Sequence, residues 1–443
     1  MLATFRGGVH PRPCKGFTDE EALDTAVPPP LVRIPLQQHI GAPSKPLVKK
    51  GDHVALGQTI AESGGFVSVP QHASVSGTVK AVKAFPHASG RAVAAIEIEN
   101  DGEDTPAEEL APIPDWQNAS PAVLRERVHD AGIVGLGGAA FPTHVKLSPP
   151  EDKPIHTVVL NGAECEPYLT CDYRLMLEAP DAILVGAEVV RRCVGARRIV
   201  IGIEDNKPRA VEIMREKVRG LDGVEVVSAH TKYPQGSELQ LMKTALGVEL
   251  PKSTLPMEAG VVVQNVGTAL AICEAVVAGR PLVERAVTIT GAAVGRPGNV
   301  RARIGTLCTE LVEQAGGMGE GVGRVVLGGP MMGLAVPRAD VPLMKSTSGI
   351  LLMRRDELVE YELNPCIRCS RCETHCPSGL ATARIGLAVE LGRTEMAERL
   401  FVLECIECGC CSYVCPAGRP MTHLMRAGKS AVLKERARRR GHG

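Results

Sequence analysis

The sequence predicts a multidomain fold of the α/β plus β class, closed by a helical module rich in cysteine. Three observations carry that reading. Apolar strands alternate with amphipathic helices through the middle of the chain, which implies a parallel sheet. Short β runs punctuated by glycine and proline lie on both sides of that stretch. Near the C-terminus stand two matching runs, Cys366-x2-Cys369-x2-Cys372-x3-Cys376-Pro377 and Cys405-x2-Cys408-x2-Cys411-x3-Cys415-Pro416. At 443 residues the chain exceeds what one core organises, and three or four domains are expected.

Residues 1–30 are Pro- and Gly-rich and read as an N-terminal arm. Residues 31–104 alternate short β runs with turn signals, and Val48–Ile60 and Val69–Val82 resemble the halves of a lipoyl-type barrel-sandwich hybrid. The lysine that such domains modify between two apolar residues has no counterpart, so the module reads as an interface and not a swinging arm. An acidic, Pro-rich linker, DGEDTPAEELAPIPDW, leads into an α/β domain at 117–283. There Ser120 is a good N-cap, with Pro121 at the first helical position. Three strand–loop–helix units follow, and sites in such sheets lie beyond the C-terminal ends of the strands. Those ends carry Asn161, Glu164 and Glu166, then Glu204 to Asn206, then Tyr233 to Glu238. Residues 284–345 return to short strands around VTITGAAVGRPGNV with one helix, LCTELVEQAG, as in a small β-grasp module. Residues 346–427 hold the cysteine runs with a helical pattern at 377–402 between them, and 428–443 form a basic tail.

Each cysteine run has the spacing by which bacterial two-cluster ferredoxins hold 4Fe–4S clusters, the fourth cysteine serving the other cluster. Three thiolates two residues apart on a tight loop reach three corners of one cube, and a fourth after three more residues points elsewhere. The expected ligand sets are Cys366, Cys369, Cys372 with Cys415, and Cys405, Cys408, Cys411 with Cys376. Only the register through Cys411 repeats the first run, so Cys410 is expected to be a non-ligand. Structural zinc favours paired ligands, not two proline-closed runs of four.

The segment Gly135-Leu-Gly137-Gly138-Ala-Ala140-Phe141-Pro142 contains G-x-G-x-x-A, but a helix precedes it and prolines follow, so an ordinary dinucleotide fingerprint is rejected. Its glycines can still present N–H groups to a phosphate, with Lys146 as a countercharge. NGAECEP places carboxylates at the end of one strand, and VVVQNVGTALAI places amides and Thr268 at another. A flavin also suits the chemistry, because it accepts hydride and releases single electrons to clusters.

GLGGAAFPTHVKL, NGAECEP, KYPQGSELQLM and VVVQNVGTALAI, with the opening FRGGVHP, resemble the RnfC family, from the Rnf ion-translocating electron-transport complex, over essentially the whole chain. The middle and β-grasp (SLBB) modules also resemble the flavoprotein subunit of respiratory complex I, which binds FMN and NADH. The resemblance implies a complex I flavoprotein-like α/β domain with non-covalent FMN at Gly135, Gly137, Gly138, Lys146, Asn161, Glu164, Asn265 and Thr268. It suggests that Phe141 and Glu166 help to place NADH, and that the turn with Gly236 and Glu238 closes over the flavin. Leu136, Ala163 and Cys165 depart from the complex I pattern. The implied system is a membrane-bound complex exchanging electrons between NADH and ferredoxin or flavodoxin while moving protons or sodium ions. Implied partners are its integral membrane subunits and the ferredoxin-like RnfB. The chain itself would be peripheral, on the cytoplasmic side of the cell (inner) membrane. Two alternatives share these modules: a microcompartment-type cobalamin reductase and a non-catalytic electron bridge.

Composition agrees with an electron carrier. Aromatics at 3% argue against stacked nucleic-acid platforms, and zero net charge gives no global basic field, so no nucleic-acid partner is expected. Cluster assembly needs reduced thiols, which favours the cytoplasm. The uncharged apolar stretch Ala259–Cys273 is too short to span a bilayer, and the N-terminus lacks the apolar core of a signal peptide. Seven Lys or Arg against one Glu between Arg426 and Arg440 offer a contact for anionic lipid or an acidic partner, or simply a solvated end.

Overall fold

The computed structural model describes residues 4–251, 254–359, 362 and 364–441. Strand β1 (Leu23–Thr25) lies in the N-terminal arm. The next module has two small antiparallel sheets facing each other: β2 (Leu31–Pro35), β4 (His53–Val54), β7 (Gly77–Pro86) and β8 (Ala92–Asn100), against β3 (Lys45–Pro46), β5 (Thr59–Glu62) and β6 (Gln71–His72). Alternation fixes which side faces in. In the pairing Leu31↔Glu99, Ile34↔Ile96, the buried Val32 and Ile34 meet the buried Ile98 and Ile96, while Arg33 and Glu97 pair outside at 2.8 Å.

Helix α1 (Pro121–Asp130) opens the α/β unit, and the Ser120 hydroxyl accepts the Val123 amide at 3.4 Å as its cap. After the short α2 (Thr143–Lys146) come β9 (Thr157–Gly162), α3 (Cys171–Glu178), α4 (Pro180–Val194), β10 (Arg198–Glu204), α5 (Pro208–Lys217), β11 (Val224–Ala229), α6 (Glu238–Leu246), β12 (Val261–Asn265) and α7 (Val266–Val277). The four strands are parallel in the order β11-β10-β9-β12, so the ends of β9 and β12 lie side by side. Helices α4 and α7 cross at backbone distance: a Cβ on Gly186 would sit 1.8 Å from the Ala269 carbonyl oxygen, so only glycine permits the crossing. The barrel-sandwich module and this α/β unit share one continuous core, running from Val32 through Trp116 to Ile272.

A six-stranded sheet follows, in the order β1-β14-β13-β17-β15-β16. It uses β13 (Glu284–Thr290), β14 (Gly298–Arg303), β15 (Val322–Leu327), β16 (Leu334–Val336) and β17 (Gly349–Arg354), with α8 (Cys308–Gln314) packed on it. The arm supplies an edge strand, β1 lying parallel to β14 with Leu23 opposite Asn299. The C-terminal module is helical, with α9 (Arg371–Thr374), α10 (Thr382–Glu390), α11 (Thr394–Arg399), α12 (Cys410–Tyr413) and α13 (Met421–Gly441) around Leu380, Ile385, Val402 and Met425. Of the residues read as a basic tail, 428–441 belong to α13, and 442–443 lie outside the described residues. Arg436 and Arg439 reach Glu398 and Glu395 at 2.6 and 3.3 Å, while Lys429 and Arg426 reach Glu407 at 2.7 and 3.0 Å. Pairs this exposed contribute about 0–1 kcal/mol each, so they orient the helix more than they stabilise it. No helix among the described residues is long and apolar enough to cross a membrane.

Candidate functional site

The glycine loop sits at the C-terminal edge of the parallel sheet, where three bonds fix its shape. Gly135 N–H donates to the Phe141 carbonyl (2.9 Å), Ala140 N–H to the Gly135 carbonyl (3.1 Å), and Leu136 N–H to the Thr268 hydroxyl (2.9 Å). The buried Arg285 guanidinium donates to the Leu136 carbonyl at 3.4 Å. Among the described residues none accepts from the amides of Gly137, Gly138 or Ala139, and all three residues are exposed. Gly138 holds φ +107°, which L side chains rarely adopt, and a Cβ on Gly137 would touch Asn265 at 3.4 Å. Three unpaired amides on a rigid turn form an anion-binding concavity.

Asn265 caps α7, its side-chain oxygen accepting from Gly267 N (2.9 Å) and Thr268 N (3.3 Å) while its amide donates to Asp172 at 2.6 Å. Such a cap contributes about 1 kcal/mol. It leaves the positive end of α7 beside the loop. Glu164 caps a second helix: its carboxylate accepts the amides of Asp172 (2.7 Å) and Tyr173 (3.2 Å) at the start of α3. Its own φ is +44°, and a non-glycine residue held there costs of order 1–3 kcal/mol, which marks the turn as constrained by its surroundings.

Two lysines, the half-buried Lys15 and the buried Lys207, supply that constraint. Lys15 of the arm donates to the carbonyls of Glu164 (2.9 Å), Glu166 (3.1 Å) and Leu169 (2.6 Å), and Lys207 donates to the Ala163 carbonyl (2.6 Å). Burial, with Lys207 next to it, holds the Lys15 ammonium below its ordinary range. The Asn161 amide donates to the Gly236 carbonyl (2.7 Å), and Gly236 N–H points at the Cys165 sulfur (3.2 Å), so the turn after β9 is bonded to the KYPQGSE turn. Lys146 pairs with Glu238 and donates to the Val263 carbonyl at 3.2 Å; its charge is thus already engaged by a carboxylate. Phe141 enters the network through its backbone. The Glu166 carboxylate is half-buried and turned toward β15–β16, accepting from Met331 N (3.0 Å), Met332 N (2.8 Å) and the Tyr233 hydroxyl (3.4 Å). Burial pushes it up to about 7, against the pull of those amides.

The cysteine runs fold as two loops that exchange their fourth members. A cavity is lined by Cys376, Cys405, Cys408 and Cys411 together with Cys410. Burial pushes the Cys411 thiol up to about 12, and the charges of Cys408, Cys405 and Cys376 reinforce it, as expected where four like donors converge. Burial also raises Cys372, with Glu373 and Cys415 adding to the effect, and Arg419 lies in the field of Cys366 and Cys415. Cys376 of the first run thus stands among the thiols of the second, and Cys415 of the second stands beside Cys372. Cys410 is fully buried, and its thiol points at the Tyr233 carbonyl, Sγ to O 4.0 Å. Cys408, Cys410, Tyr233 and Val9 pack together, with Cys165 and Met331 against them, so the second cysteine run abuts the turns that frame the loop.

The FMN-binding domain of complex I flavoproteins (Nuo51) matches residues 128–274, an RnfC barrel-sandwich hybrid domain 3–103, an SLBB domain 286–335 and a 4Fe–4S dicluster domain 358–416. The RnfC-type subunit of the Na+-translocating ferredoxin:NAD+ oxidoreductase complex of Acetobacterium woodii is 44% identical over 98% of both chains. The chain belongs to the RnfC family. The proton-translocating counterpart from Clostridium ljungdahlii is 44% identical over 87% of this chain and 84% of its own. The RnfC-type subunit of the ion-translocating oxidoreductase complex of Rhodobacter capsulatus is 42% identical over 98% and 84%. A NAD+-reducing NiFe-hydrogenase chain shares the fold at TM-score 0.50 and 18% identity, covering 73% of this chain and 65% of its own.

The cofactors of the RnfC modules fit the residues present. The loop offers open amides for a phosphate, and the buried Gln264 Nε2 and Thr143 Oγ1 have no partner among the described residues. Cys376, Cys405, Cys408 and Cys411 line one cavity, the donor type and number that a cubane cluster takes. Sequence reasoning missed Asp172, Arg285, Lys15 and Lys207. An aspartate in the first turn of α3 was the one local signal, and it reads equally as a dipole partner.

Burial, reinforced by Glu164, raises the Asp172 carboxyl from an ordinary 3.8 to about 7. The folded chain therefore keeps a proton that the unfolded chain releases. The stability this group contributes is full below about pH 4 and is lost as pH rises toward about 7. Asp172→Asn is expected to flatten the decline in urea stability over that window by roughly 1–4 kcal/mol, since one pH unit of displacement is worth about 1.4 kcal/mol. A variant with the wild-type pH dependence would show that Asp172 is ionised in the fold.

Proposed function

We propose that this chain is the NADH-facing subunit of a membrane-bound complex that couples electron exchange between NADH and ferredoxin or flavodoxin to ion translocation. The observation that carries the reading is the abutment of two cofactor modules: the turns around the open glycine-loop amides pack directly on the second cysteine run through Tyr233. Gly135, Gly137 and Gly138 would present the phosphate-binding amides, with Asn265 and Thr268 fixing the loop and Asn161 and Glu164 the opposite turn. Lys146, Phe141, Glu238 and Gly236 would frame the opening. FMN supplies the exchange between hydride and single electrons. The cluster held by Cys405, Cys408, Cys411 and Cys376 stands nearer the flavin turn, and the one held by Cys366, Cys369, Cys372 and Cys415 stands outside it. Cys366 and Cys369 lie on an exposed loop with Ile367 and Arg368, next to the exposed Arg371 at the start of α9, a surface suited to an acidic electron-carrying partner such as the ferredoxin-like RnfB. The chain would sit peripherally on the cytoplasmic face, held by the integral membrane subunits.

Anaerobic holoprotein mixed with NADH tests this. Flavin absorbance is expected to bleach first and cluster absorbance to follow. Arg368→Glu with Arg371→Glu should slow electron delivery to the acidic partner roughly tenfold and flatten its salt dependence, while leaving the bleaching intact. Cluster absorbance without any flavin response to NADH would leave only an electron bridge.

A further inference from the structure

The hairpin joining β15 to β16 has the tip Gly328-Gly329-Pro330-Met331-Met332-Gly333, and it ends against two other modules. On one side is the flavin turn. Glu166 accepts both tip amides, at 3.0 and 2.8 Å, and a Cβ on Gly329 would lie 2.3 Å from its carboxylate. On the other side is the second cysteine run, where a Cβ on Gly409 would lie 2.9 Å from the Met331 carbonyl oxygen. Glycine at both faces brings backbone to within contact distance, so the tip fills the gap with no side-chain slack. Met331 completes the junction, packing with Tyr233, Cys408 and Cys410.

We propose that the β15–β16 tip is a spacer that sets the distance from the flavin turn to the cluster of the second run, with Glu166 as the positioning residue that clamps it. The inference rests on the functional reading above and adds a device to it. A carboxylate holding two adjacent amides is a strong, directional fastener. Electron tunnelling falls exponentially with separation, so a tip displaced by even one ångström slows transfer between the two modules while leaving each module whole.

Two measurements test the proposal. In Gly329→Ala the backbone conformation remains allowed, and the added methyl must push the tip off Glu166. NADH is expected to bleach the flavin at the wild-type rate, with iron and flavin contents unchanged, while cluster reduction slows by roughly tenfold or more. In Glu166→Ala, hydrogen exchange across 328–333 of the full chain is expected to accelerate at Met331 and Met332. Cluster reduction at the wild-type rate in Gly329→Ala, or unaltered exchange in Glu166→Ala, would overturn the proposal. The exchange measurement needs neither NADH nor flavin. It therefore separates failure of the clamp from failure of the functional reading, which a wild-type chain that did not bleach with NADH would signal.

Discussion

Replacing Cys376 with alanine is expected to remove about four of about eight iron atoms per chain after anaerobic reconstitution, and the loss should fall on the cluster of the second run. Cys376 lies in the first run by sequence, yet it shares a cavity with Cys405, Cys408 and Cys411. Cys415→Ala should do the converse, because Cys415 stands with Cys372 and Cys366. Paramagnetic resonance of the two variants reads the outcome directly. Loss of the first-run signal in the Cys376 variant would sink the crossed assignment. Cys410→Ala should leave both signals in place, since that thiol faces the Tyr233 carbonyl.

Gly137→Val is expected to abolish flavin retention through gel filtration, weakening it by roughly tenfold or more, equivalent to about 1.4 kcal/mol. A β-carbon at Gly137 already meets Asn265 at 3.4 Å, and the two γ-carbons of valine would press on the cap of α7 and on its bond to Asp172. The open amides of the loop would turn with the backbone. Both clusters should assemble normally, because their module has its own core. A Gly137→Val protein that keeps its flavin and bleaches at the normal rate would make the loop a packing turn.

Much of this was legible from local pattern. The parallel sheet was readable because buried strands such as Thr157–Gly162 and Val261–Asn265 are apolar on both faces and alternate with amphipathic helices. The cysteine spacing carries its own chemistry. What could not be read were pairings between distant segments. Glu164 reads as a sugar-binding carboxylate, whereas its oxygens cap α3, and the turn it occupies is held by Lys15 from the arm and by Lys207. Glu166 reads as a nucleotide contact, whereas its partners lie at Met331 and Met332. The basic stretch reads as a tail because like charges suggest a solvated end, whereas it continues α13 and is oriented by Glu395 and Glu398 of α11.

The arm that carries β1 constrains how the protein is born. Its partners are late: β1 pairs with Asn299–Arg301, Gly8 N–H bonds the His375 carbonyl, and Lys15 needs the turn at Glu164–Leu169. At about 5–20 residues per second a ribosome reaches those segments roughly 7–75 s after making the arm. During that interval the arm emerges with no surface to lie on, and the six-stranded sheet is completed by a segment made long before its neighbours. Seating of the arm is thereby tied to late synthesis, because its last anchor, the bond from Gly8 N–H to the His375 carbonyl, forms only on a polypeptide whose cluster module is already being translated.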